Sequence, residues 1–197
     1  MPKVSEEYRV ARRDEIAQAA LRAFRRGGFQ GTSMAEIIAE SGLSAGAIYG
    51  HYPSKSAIVV DVATRVVGAR VADIRQLADL EPLPAPPTIP RLLIERIRAE
   101  LGDPSVLLQL WGAAVTEPEL RTLVLDVIVR LKATLADYVS LWHQRTHGTP
   151  ADDADALAAA QVPLLIAAVH SYVVQSSVLP NFDTEAYLDS IETYLPR

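Results

Sequence analysis

The sequence predicts an all-α protein, and three observations carry that prediction. Apolar residues recur at three- and four-residue steps along nearly the whole chain. No run alternates with the period of two that a half-buried strand requires. The breaks between apolar runs are occupied by Gly, Pro and cap-forming Ser or Asp. With 197 residues, 49% of them hydrophobic, the chain can fill one large core or two modest ones.

Ile16, Ala19, Ala20, Ala23 and Phe24 form one face of a first helix, which Gly27 and Gly28 stop. Arg12, Arg13, Arg22, Arg25 and Arg26 lie off that face and read as solvated surface. Ser33-x-x-Glu36 is a capping box that opens a short second helix with Met34, Ile37 and Ile38 inward. Gly42 supplies a turn, and Ser44 caps a third helix that Tyr52-Pro53 ends. Ser54 caps a long fourth helix over residues 54–80.

Residues 81–90 contain five prolines and read as a stiff link that is neither helix nor central strand. Beyond it come helices over 91–101 and 105–115, then a long one opened by Pro118. Its seam runs from Leu120 through Leu131 and Leu135 to Trp142, and the Gly148-Thr149-Pro150 stretch closes it. An uncharged helix follows around 153–178, and Asp183 caps a last one to about residue 195.

The net charge of -5 is unevenly spread: residues 1–56 carry +2 and residues 57–197 carry -7. The absence of cysteine excludes disulfides, thiol catalysis and Cys-bound zinc. The polar start MPKVSEEYRVARRDE lacks the apolar stretch of a signal peptide, so a cytoplasmic protein is expected. Residues 156–179 are 24 positions without a charge, long enough to span a bilayer, but Gln161, Pro163, His170 and Gln175 interrupt them. A buried or interface helix is expected there, with no membrane partner. His51, His143, His147 and His170 have no metal-site spacing, and neither a G-x-S-x-G turn nor a glycine-rich phosphate loop occurs, so no metal, no cofactor and no enzyme activity is expected.

The third helix is the informative element. Ile48 and Tyr52, one turn apart, complete a small core with Leu43 and leave Ala45, Gly46, Tyr49 and Gly50 on the other face. Glycine inside a helix costs about 1 kcal/mol relative to Ala, and two in five positions call for a compensating close approach of a partner. Tyr49, His51 and Lys55 place a hydroxyl, an imidazole and an ammonium at the edges, and the helix N-terminus after Ser54 favours a phosphate.

Over roughly residues 9–60 this segment resembles the DNA-binding domain of the TetR family of transcriptional regulators. The resemblance rests on Ile16, Ala20 and Phe24, then Gly28-Phe29, Thr32-Ser33, Ile37, Gly42-Leu43-Ser44, Gly46, Ile48-Tyr49, His51-Tyr52 and Ser54-Lys55. It implies a three-helix helix-turn-helix DNA-binding domain at residues 1–56 and an α-helical effector-binding and dimerisation domain at 57–197. By position, Ser33 and Lys55 meet backbone phosphates, and Tyr49 and His51 lie at the groove edge. Ser44 opens the reading helix, while Ala45, Gly46, Ala47 and Gly50 face the bases. Many relatives carry a long polar residue at the position of Ala45 and an aromatic at that of Gly50, so readout here leans on thymine methyls and DNA shape.

In the C-terminal part, ligand candidates are aromatic or neutral polar residues in apolar surroundings: Gln109, Trp111, Tyr138, Trp142, His143, Gln161, His170, Tyr172 and Gln175. Asp126, beside the long seam, is a candidate partner for a cationic ligand. The helices at 156–179 and 183–195 are the candidate dimer interface. The expected function is a homodimeric repressor on palindromic double-stranded operator DNA, released by a small lipophilic effector. Lipophilic compounds and drug-like cations rank ahead of acyl-type metabolites. The rivals are a ligand-independent or protein-controlled DNA-binding module and, last, a helical enzyme.

Overall fold

The computed structural model describes residues 6–196, so the first five residues of the polar start lie outside the described residues. Among the described residues nine α-helices follow one another: α1 (Glu6–Gly31), α2 (Met34–Ser41), α3 (Ala45–Tyr49), α4 (Lys55–Leu77), α5 (Ile89–Leu101), α6 (Ser105–Thr116), α7 (Pro118–His147), α8 (Ala151–Val178) and α9 (Thr184–Tyr194). Among the described residues there is no strand. The Ser33, Ser44, Ser54 and Asp183 side chains each accept the N–H three residues on, at the starts of α2, α3, α4 and α9.

Four boundaries differ from expectation. The first is that α3 stops at Tyr49, so Gly50 is its C-cap and not an interior residue, and Tyr52 lies beyond it. Gly28, at φ 69° and ψ 174°, breaks α1, but one more helical turn follows. That turn is retained because it buries Phe29 against Phe24, with ring centroids 6.2 Å apart. The proline-rich link ends sooner than residue 90. Pro86–Thr88 form a 3-10 turn, Ile89 starts α5, and Pro90 sits in its first turn, where a missing N–H breaks no bond. Pro86 and Pro87 are buried, so the link is packed against the body rather than held away from it. Helix α4 ends at Leu77, and a turn carries the chain to Leu80.

Of the five α1 arginines read as surface, Arg13, Arg22, Arg25 and Arg26 are exposed and Arg12 is half-buried, and all five have partners. Arg22 and Arg26 reach Glu40 of α2 at 2.7 and 2.5 Å, holding its carboxyl below the usual range. Arg25 donates to the Ala99 carbonyl of α5, and the Arg13 guanidinium lies 5.1 Å from the centre of the Tyr52 ring. Arg12 pairs with Glu15 and Tyr8 along α1 itself.

Helices α7 and α8 form the long central pair, with α4 against α7 and α5 against α8. Pro163 sits mid-way along α8 on its exposed side, where a carbonyl left without a helical donor faces water. One core gathers α1, α2, α3, Ile58, Val59 and Val62 of α4, and Ala113, Ala114, Leu120 and Leu123 of α6 and α7. The other gathers Ile74, α5, the second half of α7, α8 and Leu188. Packing therefore does not divide at residue 56: the first turns of α4 belong to the N-terminal core, and α6 rests directly on α1.

Candidate nucleic-acid interface and interior cavity

The interface begins where α1 ends. Thr32 is buried, and its hydroxyl donates to the Gly28 carbonyl at 2.8 Å and to the Ala23 carbonyl at 3.2 Å. This fixes the direction in which Ser33 enters α2. The capping box is complete: Glu36 N–H donates to Ser33 Oγ at 3.2 Å, and Glu36 Oε2 accepts from Ser33 N–H at 2.7 Å. Those bonds from Ser33 hold the Glu36 carboxyl below its ordinary value.

Helix α3 is held from behind. Ile48 and Tyr52 are fully buried, while Ala45, Gly46, Tyr49 and Gly50 are exposed and Ala47 and His51 half-buried. The Ala47 N–H donates to Ser44 Oγ at 3.2 Å, which occupies Ser44 as the cap. A Cβ placed on Gly46 meets nothing within 4 Å, so packing within this chain does not require glycine there. The outer face is small, uncharged and open.

Beneath it, the Tyr52 hydroxyl donates to Asp61 of α4, which also accepts from Arg65 at 3.1 Å. Arg65 pairs in addition with Asp14 of α1. Burial, then the hydrogen bond to Asp61, pushes the Tyr52 hydroxyl up to about 12. Burial would raise Asp61, but the bonds from Tyr52 and Arg65 outweigh it and hold that carboxyl low. The network ties α1 and α4 to Tyr52, three residues beyond the end of the reading helix. Motif reading missed it because Arg13, Asp61 and Arg65 look like ordinary surface charges on separate helices.

Lys55 also has partners within the chain. Its ammonium is half-buried, donates to the Phe29 and Thr32 carbonyls at 2.9 and 3.0 Å, and sits 4.4 Å from the centre of the Phe29 ring. Two of three N–H bonds thus clamp the turn before α2, so Lys55 positions the N-terminus of that helix besides any contact with phosphate. Helix ends leave carbonyls unpaired, and a buried lysine stem can reach them.

An apolar cavity of about 170 Å³ lies behind the interface, between α1, α4, α5, α6, α7 and α8. Leu21, Phe24 and Phe29 of α1 contribute to its wall, so it reaches the core of the helix-turn-helix. Trp111 and His170 line it, edge to face with ring centres 4.7 Å apart, and burial pushes the imidazole pKa down. Among the described residues the one formally charged residue at its wall is Arg70 of α4, whose guanidinium pairs with Asp73 and Glu100 and which sequence reading passed over as part of a connector.

The other ligand candidates lie outside that wall. Gln109 turns to α1, where its Oε1 accepts from Gln30 N–H at 3.1 Å and its amide fills the space beside Gly28, 2.7 Å from where a Cβ would stand. Asp126 is exposed and paired with Arg130. Tyr138 donates to the Pro84 carbonyl at 2.7 Å and borders a small separate crevice with Ile74 and Asp137. Trp142 packs on His143 and His147, and His143 Nε2 lies 3.3 Å from Gln161 Oε1, both buried where α7 meets α8. Tyr172 packs on Phe182 and Tyr187, and Gln175 donates to Ser171. Helical seams attract aromatic and amide side chains for packing as readily as cavities do, and periodicity does not separate the two.

Residues 16–62 match the family model described as bacterial regulatory proteins, tetR family. A curated relative from Bacillus subtilis (strain 168), the uncharacterized HTH-type transcriptional regulator YfiR, is 42% identical over 53 residues, 27% of this chain and 26% of the relative. The match thus spans about a quarter of that protein's length. Among solved structures, Salmonella enterica GusR superposes with a TM-score of 0.71 at 22% identity, covering 98% of this chain and 96% of that one. The transcriptional regulator FadR of Bacillus subtilis, in complex with stearoyl-CoA, gives 0.60 at 16% identity, covering 92% of this chain and 96% of that one. At these identities the likeness to both structures is one of fold.

Proposed function

We infer, from a chain whose helix-turn-helix belongs to the tetR family of bacterial regulatory proteins, a DNA-binding transcriptional regulator of the cytoplasm. It acts as a homodimeric repressor that leaves a palindromic operator when a small lipophilic molecule fills the interior cavity. The observation that carries this reading is the open face of α3 and its C-cap, with Ala45, Gly46 and Gly50 exposed and Ile48 and the following Tyr52 buried beneath them. A face without long side chains lets the backbone approach base edges closely, while Tyr49 and His51 border it. Ser33, Ser44, Ala47 and Lys55 complete the proposed contact set, with Lys55 acting partly through the turn it clamps.

One such helix covers only a few base pairs, so two must act together, about 34–36 Å apart or a multiple of it. Support for a dimer comes from α8, whose residues Leu157, Leu164, Val174 and Val178 are exposed on a stretch without charge. That helix is also long and apolar enough, by length and composition alone, to cross a bilayer. Its opposite face, with Ala158, Val162, Leu165 and Val169, is committed to the protein core, which favours a partner helix on the open side.

The cavity favours ligand control over a ligand-independent module. It touches α4 along Val59, Val62, Ala63, Val66 and Val67, and α4 begins beside the reading helix. A ligand that binds best when α4 is displaced would draw the two heads to the wrong separation. The testing experiment maps the sites occupied by the protein in its own genome and measures binding to those sequences over a salt series. Palindromic sites bound with a steep salt dependence support the reading. Absence of sequence preference overturns it.

A further inference from the structure

We propose that the interior cavity takes an uncharged hydrocarbon about the size of a substituted benzene ring, a molecule with no hydrogen-bonding group of its own. This rests on the reading of the cavity as the effector site and names its ligand class. Among the described residues, the wall turns essentially no polar atom into the void. Arg70 lies at the wall, but its guanidinium is held by Glu100 at 3.0 Å and Asp73 at 3.1 Å. Trp111 and His170 meet edge to face, and burial pushes the imidazole below its ordinary value, so His170 adds no charge at neutral pH. A ligand hydroxyl, ammonium or carboxylate inside would leave its water partners and gain none, at a cost that rises steeply from the hydroxyl to the ions. Of the ligand classes weighed from sequence, drug-like cations and acyl-type metabolites therefore find no partner for their polar groups, and lipophilic compounds remain.

The size of the ligand follows from the volume. A void of about 170 Å³ is close to that of an engineered apolar cavity of about 150 Å³ that binds benzene. Drug-sized ligands need about 300–1,000 Å³. Water competes poorly for the space, because it requires roughly two to four polar partners that this wall does not supply. The form of the void is set on the α4 side by Val59, Val62, Val66 and Val67, which are β-branched and stiff at χ1. Such side chains resist rearrangement around an oversized guest. Phe24, Phe29 and Trp111 add aromatic rings to the wall, against which a ring-bearing guest gains offset or edge contacts. Transfer of a hydrocarbon from water is favourable over its whole surface, since no part of it requires a polar partner.

The test is calorimetric titration of the full chain with toluene, phenol, benzoate and dodecanol. Toluene and phenol differ only by a methyl against a hydroxyl, so their ratio reads the polarity of the site. The expected result is one-to-one binding of toluene at least ~10-fold tighter than phenol, as an uncompensated hydroxyl requires. Benzoate should show no saturable binding, and dodecanol, too long for the void, should bind more weakly than toluene. Ala63→Leu, on the α4 wall, fills part of the void and should weaken toluene binding at least ~10-fold. Unchanged toluene affinity in that variant would place the site elsewhere and overturn the inference. The wild-type ranking decides polarity and size without any variant, so unfolding of Ala63→Leu would not rescue a failed ranking. Phenol, benzoate or dodecanol binding as tightly as toluene overturns the inference and leaves the effector reading intact. Binding by none of the four overturns both.

Discussion

Gly46→Leu separates DNA recognition from folding more cleanly than any other change in α3. In this chain the position is the second residue of a helix capped by Ser44, and a side chain built there meets nothing within 4 Å. Leucine is a better helix former than glycine by somewhat less than 1 kcal/mol, and the exposed site adds no clash to reduce that gain. The free protein should therefore be as stable as wild type or slightly more so, with Tm unchanged or raised by about 2–4 °C. Against DNA the same side chain stands where the backbone would approach base edges, once in each half-site. Specific binding exceeds nonspecific binding by about 10³–10⁷, and loss of both base contacts should bring the variant down to the nonspecific level. Fluorescence anisotropy on operator and scrambled duplexes, repeated over a salt series, reads both quantities. The salt slope should persist, because the phosphate contacts remain. Operator affinity within ~10-fold of wild type would refute the close approach and return Gly46 to a neutral surface position.

Other expectations follow from the same interface. Lys55→Met should cost about 1–3 kcal/mol, since the Phe29 and Thr32 carbonyls lose a charged donor, and should lower the salt slope of DNA binding by about 1. A lowered slope with unchanged Tm would show that the clamp does not form in solution. Glu36, Glu40 and Asp61 titrate below their ordinary values of 4.5, 4.5 and 3.8, so the stability they contribute is complete above those values. It is lost as pH falls through the depressed ones, giving a Tm that declines below about pH 5 and declines less in Glu40→Gln. At the alkaline end Tyr52 acts with the opposite sign: its contribution is complete below 10 and disappears as pH rises toward 12. The double change Leu164→Glu with Val174→Glu should give a monomer by light scattering, and a dimer that survives it would move the interface away from α8.

The helix-turn-helix was legible because its signals are local. Ser33 and Glu36 lie within one turn, Ser44 adjoins the helix it caps, and Ile48 and Tyr52 share a face at four-residue spacing. The helix count and most boundaries followed from the same periodicity. What remained hidden depends on which helix comes to lie against which. The same rule that put Tyr138, Trp142 and Tyr172 in an apolar seam could not say whether the seam closes on another helix or lines a void, and it closes. Arg70 was hidden for the complementary reason. In sequence it is one charge on a long helix, and only the crossing of α4 with α5 to α8 brings its stem to the cavity wall while Asp73 and Glu100 hold its guanidinium.

The contact between α6 and α1 was equally invisible, and it bears on how a filled cavity would reach the DNA. Close-packed interiors do not yield continuously, so a ligand between α1, α4 and α6 must be accommodated by a shift of one of them. Gln109 joins α6 to α1 at the one point where α1 is already broken. Its amide occupies the space beside Gly28, and a side chain at residue 28 would collide with it. If α6 transmits the ligand's effect, Gln109→Ala should leave ligand-free operator affinity within ~3-fold of wild type but reduce ligand-induced release by about 0.5–2 kcal/mol of coupling. Gln30 is exposed, so water replaces the lost acceptor and the cost to stability should be small. Measuring operator affinity with and without saturating ligand in both proteins gives the coupling directly. An undiminished ratio would assign transmission to α4 alone, whose residues touch the cavity and the reading head without an intermediary.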